Sequence, residues 1–122
     1  MIRTVTTIAL LTCLASPAIA QGMRPGDRVM TAAELTETLS GMVVEFFDGS
    51  KSRYRPDGGY AYTYTDDGPA WTGQYTTHDD STVCVAFDNG SSRCDTFVFS
   101  GERLTLIIQD GTRFPVRERA AE

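Results

Sequence analysis

The sequence predicts a mainly β protein: an eight-stranded antiparallel meander, closed as a small up-and-down barrel and preceded by one short helix. Three observations carry this. From Met42 onward, turn signals ending in glycine recur at short intervals: Phe47-Asp48-Gly49, Pro56-Asp57-Gly58, Asp88-Asn89-Gly90 and Gln109-Asp110-Gly111. Between them lie short runs rich in β-branched and aromatic residues, the composition of strands. Cys84 and Cys94 stand symmetrically about the third of these turns, as a cross-strand pair would.

Along the chain, Met1–Ala20 reads as a secretory signal peptide. Arg3 supplies the positive start, Ile8–Leu14 the apolar stretch, Ser16-Pro17 its break, and Ala18-Ile19-Ala20 the small-x-small cleavage site. Cys13 lies in the apolar stretch and leaves with it; Thr12 before it argues against a lipoprotein signal. Two cysteines then stay, and export with an even cysteine count implies a disulfide in an oxidising compartment, periplasmic or secreted. The 122-residue chain has a formal net charge of −5, which becomes −6 without Arg3. That balance disfavours nucleic acid, whose binding needs clustered Lys and Arg. After Ala20 no apolar run approaches the roughly 20 residues of a membrane-spanning helix.

Gln21–Met30 carries two glycines, a proline and no periodicity, and reads as a flexible lead-in. Thr31-Ala32-Ala33-Glu34 has the pattern of a capping box, in which the Glu34 carboxylate also reaches back to the Thr31 N–H. Leu35 and Leu39 give the helix one apolar edge, and Gly41 stops it. The single domain spans residues 31–117, and 118–122 read as a disordered tail. Its strands are Met42–Phe46, Ser50–Arg55, Tyr60–Thr65, Ala70–Thr77, Thr82–Phe87, Ser91–Phe99, Arg103–Ile108 and Thr112–Arg117. Short connections make each strand antiparallel to the next. Pairing the first with the last removes two raw edges, which favours a barrel over a sandwich or an open curled sheet.

Register follows from the turns. A three-residue loop at Asp88-Asn89-Gly90 places Cys84 opposite Cys94 at a non-hydrogen-bonded site, where Cα atoms approach to about 4.5 Å. A staple closing that loop contributes about 3 kcal/mol by chain entropy. The same reasoning about Gln109-Asp110-Gly111 puts Leu104, Leu106, Ile108, Phe114 and Val116 on one face. The inward face of Thr82–Phe87 stays open, because Val83/Val85/Phe87 and Cys84/Ala86 both fit. Arg93 and Asp95 share a face with Phe97 and Phe99, so the next strand does not decide it.

Catalytic or metal-binding signals are sparse. His78 is the one histidine and sits beside Asp79 and Asp80 in a polar turn, short of a zinc ligand set. Asp66-Asp67 and Asp79-Asp80 lack the spacing of a calcium loop, and no nucleophile motif occurs. No cofactor is implied. The densest grouping is aromatic: Tyr54, Tyr60, Tyr62, Tyr64, Trp71 and Tyr75. Strand packing is its ordinary use, but tyrosine hydroxyls need partners. Part of the group should therefore reach solvent, and Tyr60, Tyr62, Tyr64, Trp71 and Tyr75 form the candidate binding surface. Lys51, Arg53 and Arg55 make one basic stripe on the face opposite Tyr54.

Trp71-Thr72-Gly73-Gln74-Tyr75, followed by Cys84, Cys94 and the closing Leu104, Leu106, Gly111 and Phe114, resembles small exported alphaproteobacterial proteins of unknown function. The resemblance covers Leu39–Val116 and implies a periplasmic, disulfide-stapled β domain without catalytic residues. The architecture is also similar to exported barrels that inhibit metalloproteases or lysozyme, by fold-level analogy alone. The sequence therefore points to a non-enzymatic binding module for a protein or small ligand, in its most specific form an inhibitor of an envelope or secreted hydrolase. A lipocalin-like carrier would need a cavity of about 300 Å³ or more. A hydrolase of envelope polymers would need carboxylates or His78 converging in a cleft.

Overall fold

Four of the glycine-ended turns fold in the same way in the computed structural model, which describes residues 21–122. The N–H groups of Phe46, Arg55, Phe87 and Ile108 donate to the carbonyls of Ser50, Gly59, Ser91 and Thr112. Within each turn the third loop residue is a glycine whose N–H returns to the first of those residues. Asp48, Asp57, Asn89 and Asp110 each accept from the backbone N–H two residues on. This is the three-residue hairpin with a left-handed closing glycine, and it explains why Asp/Asn and Gly recur together. Met1–Ala20, and with it the signal-peptide reading, lies outside the described residues.

These turns fold the chain into β2 (Met42–Phe46), β3 (Lys51–Tyr54), β4 (Gly59–Thr63), β5 (Ala70–Thr77), β6 (Thr82–Phe87), β7 (Ser92–Ser100), β8 (Arg103–Ile107) and β9 (Arg113–Ala121), with β1 (Asp27–Arg28) and helix α1 (Ala32–Leu39) before them. Each strand from β2 onward pairs antiparallel with the next, and β2 pairs with β9 from Met42↔Ala121 to Phe46↔Val116. The meander is thus a closed eight-stranded barrel, with β1 as an extra strand against the end of β7.

Cross-strand pairs settle the inward face left open by the sequence. Tyr75 lies opposite Val85, Val85 opposite Arg93, and Val83 opposite Asp95. Val83 and Val85 are buried, so they and Arg93 and Asp95 face the interior. Cys84 and Cys94, directly opposite each other as the turn register requires, form a disulfide on the outer face with Cα atoms 4.0 Å apart.

Helix α1 plugs one end. Thr31 caps it by accepting the Glu34 N–H at 3.2 Å. The second half of the capping box is not made, because Glu34 pairs with Arg28 at 2.8 Å instead. Leu35 and Leu39 are fully buried and join Met30, Val44, Phe97, Leu104 and Val116 in the core. The plug is tied down by polar contacts: Asp79 accepts the Ala32 N–H, Thr36 and Thr77 hydroxyls meet at 3.0 Å, and Ser81 Oγ accepts the Met30 N–H at 2.8 Å.

Two sequence expectations are corrected here. Gln21–Met30 is not a flexible lead-in. It runs along the outside of the barrel, where the Asp27 carboxylate and Arg113 guanidinium make a two-pronged pair at 2.6 and 2.9 Å with both side chains nearly buried. A Cβ on Gly22 would fall 2.4 Å from the Gly111 carbonyl oxygen and 2.8 Å from Ile107 Cγ2, so the close approach there requires glycine. The arm covers Ile107, an outward-turned residue that is only 2% exposed. Residues 118–122 are not a disordered tail either: β9 continues to Ala121, and the Glu122 N–H donates to the Gly41 carbonyl. Closure supplies the order, since β2 offers this weak strand sequence a full hydrogen-bonding partner.

Candidate functional site

Among the described residues the end of the barrel opposite α1 has no plug, and its inner wall changes character. Inward positions there are Phe46, Ser52, Tyr62, Val85, Arg93, Leu106 and Phe114, a mixture of apolar and polar side chains. They enclose a cavity of about 240 Å³ whose floor is formed by Tyr54, Tyr60, Val83 and Phe97. A second pocket of about 260 Å³ adjoins it, reaching Trp71, Phe87, Asn89 and Ser91. Tyr60, Tyr62, Tyr64 and Arg93 line both.

The structure brings together four of the five residues proposed from sequence and grades them by depth. Tyr60 is buried, with its hydroxyl 3.0 Å from Ser52 Oγ. Tyr62 is half-buried and meets the Tyr64 ring edge-on at 4.9 Å. At the rim, Tyr64 is 65% and Trp71 47% exposed. Trp71 lies directly across the ladder from Tyr62, and Gly73 across from Tyr60. A Cβ on Gly73 would fall 2.3 Å from the Ala86 carbonyl oxygen, so the tight wall curvature there requires glycine. Tyr75 is the exception. It faces the plugged half, packs edge-on against Tyr54 at 5.1 Å and donates its hydroxyl to the Arg55 carbonyl.

Burial pushes the Tyr60 phenol up to about 12 and raises Tyr62 as well, so both stay neutral and can donate hydrogen bonds at physiological pH. Arg93 and Asp95 are the site residues the sequence did not single out. Arg93 Nε and Nη2 both lie 2.7 Å from Asp95 Oδ2. The Asp95 side chain is 13% exposed and that of Arg93 51%. Burial raises the Asp95 pKa, with Arg93 working against the rise. The available signal was their shared parity with Phe97 and Phe99.

The basic stripe and His78, the other polar candidates from the sequence, stay apart from this site. Lys51 of the basic stripe pairs with Asp66 at 2.8 Å, and Arg53 reaches Thr63. His78 and Asp79 lie in the turn beside α1, where His78 Nε2 is 3.2 Å from the Thr76 hydroxyl. Asp48 lines the cavity but is held by the Ser50 N–H and hydroxyl, which keep its pKa low. Among the described residues no three His, Cys, Asp or Glu side chains gather as a metal site, and no helix is long and apolar enough to cross a membrane. No protein-family model, curated protein or solved structure matches this chain.

Proposed function

We propose that the protein is an exported, non-enzymatic binding module that receives its ligand through the open end of the barrel. One observation carries the reading: the interior is filled at the helix end and hollow at the other, where polar groups converge on an apolar wall. Small-molecule sites combine an apolar lining with a few placed polar groups in this way. The main cavity alone is about 240 Å³. It suits a compact molecule. The disulfide and the signal-like first twenty residues support an oxidising, extracytoplasmic location.

The inhibitor form of the proposal draws on the exposed Tyr64 and Trp71 at the rim, a composition favoured at protein interfaces. It draws nothing from Gln21–Met30, which lies against the barrel and does not project into a partner.

The test is a heteronuclear NMR titration of residues 21–122 with neutral probes such as phenol and cyclohexanol. Shifts should concentrate at Val85, Leu106, Ile108 and Phe114 and spare Leu35 and Leu39. Perturbation elsewhere, or none at millimolar probe, contradicts the reading. Mixing with secreted lysozymes and proteases tests the inhibitor form, which falls if no complex appears.

A further inference from the structure

We infer that the ligand of the open half is a compact organic monoanion, a carboxylate on an aromatic or branched apolar body, with its charge on Arg93. The inference rests on the reading of this end as a ligand site and adds the chemistry of what enters. A guanidinium carries five N–H donors. Asp95 engages Arg93 through a single oxygen, Oδ2, reached by Nε and Nη2. Nη1 has no partner among the described residues, and a second N–H of Nη2 is also left over. Those donors form the end-on edge of the guanidinium, the geometry that takes a carboxylate with two parallel hydrogen bonds.

Within the Arg93–Asp95 pair the more accessible charge is therefore the positive one. Arg93 is half exposed, whereas Asp95 is set behind it and nearly buried. The other cavity carboxylate, Asp48, is exposed in the turn after β2 and accepts two hydrogen bonds from Ser50 on one oxygen, at 2.9 and 2.6 Å, so a bound anion has to seat at Arg93, away from it. Asp95 also holds the Arg93 side chain in place, so less side-chain freedom is lost when an anion binds. Neutral phenols nearby add donors and no negative charge.

Apolar contacts set the size of the rest. Phe46, Val85, Leu106, Ile108 and Phe114 form the wall. An apolar cavity of about 150 Å³ accommodates benzene, so about 240 Å³ takes a body of that order with its carboxylate attached.

Four probes separate the contributions: benzoate, benzamide, benzylammonium and acetate, each titrated into the domain by calorimetry and NMR. Benzoate should shift Val85, Leu106 and the Arg93 Nε–H signal, and bind roughly tenfold or more tighter than benzamide, the scale of a charge-assisted pair. Acetate, lacking the body, should be weak. Arg93→Gln should abolish the preference for benzoate over benzamide. If that variant does not fold, Leu106→Trp, which fills the cavity and keeps Arg93, should abolish benzoate binding. Equal affinity for benzoate and benzamide, or a preference for benzylammonium, overturns the anion while leaving the cavity as a site. Failure of every probe to perturb the cavity overturns the site as well.

Discussion

The two ends of this barrel are built on one alternating strand pattern and end up as different materials. At the helix end, Leu35, Leu39 and Met30 are inserted from outside the sheet and join Val44, Phe97 and Leu104 in one buried cluster. At the other end none of the described residues is inserted. The inward positions there include Ser52, Arg93 and Asp95, polar side chains that line the cavity beside its apolar wall. An eight-stranded barrel is just wide enough for side chains to fill. The plug decides which half is packed core and which half stays hollow.

The largest expected effect separates the halves by truncation. Leu39→Ala should cost about 4 kcal/mol, because a fully buried leucine leaves a cavity that its surroundings cannot close. Ile108→Ala at the hollow end should cost about 1 kcal/mol or less, since the space beside it is already empty. Urea unfolding of both variants reads the difference; similar losses would mean that the open end is packed as tightly as the plug.

Next comes the arm that joins the two ends along the outside. Arg113→Met should destabilise by about 3 kcal/mol, because it strands the Asp27 carboxylate, 1% exposed, without its partner. Adding Asp27→Asn should return part of that loss. An Arg113→Met variant as stable as wild type would show that the arm is held by something else.

The smallest effect is one of sign. The hydrogen bond from Arg113 lowers the Asp27 pKa below its ordinary 3.8, so its contribution is present above that value and lost as pH falls through the lowered one. Burial raises the Asp95 pKa, so folding favours its protonated form and the ionised carboxylate is unfavourable once pH exceeds the raised value. Asp27→Asn should therefore flatten the acid limb of the stability curve. Asp95→Asn should be within about 1 kcal/mol of wild type or more stable at pH 7, and converge on wild type in acid. Stability–pH curves of the two variants decide it, and parallel behaviour would remove the distinction between the arm's carboxylate and the cavity's.

Much of the barrel was legible because its information is local. Asp/Asn-Gly turns fix loop length, loop length fixes register, and register placed Cys84 opposite Cys94 and Leu106 opposite Phe114. What escaped depends on partners far away in sequence. The arm gains its order from Asp27 meeting Arg113 and Gly22 meeting Gly111, contacts that no pattern within Gln21–Met30 encodes. The last residues, Glu118–Ala121, are a poor strand by composition and become one because β2 lies beside them. The aromatic group was found but not its division: Tyr75 faces the plug, while Tyr60, Tyr62, Tyr64 and Trp71 grade outward at the open end. Arg93 and Asp95 were hidden by the expectation that charged residues face outward. Their parity with Phe97 places them inside, and a hollow interior makes that arrangement tolerable.

Thiol labelling of two inward positions tests the division most directly. In the oxidised domain, with the native disulfide intact, cysteine is placed at Ile108→Cys in the open half or at Val44→Cys beside the plug. A small alkylating reagent should reach position 108 in the native state, at a rate insensitive to low denaturant. Position 44 should react only through global unfolding, so that its rate climbs with denaturant. Equal protection of both thiols would contradict a hollow end, and equal native-state reactivity would contradict a sealed one.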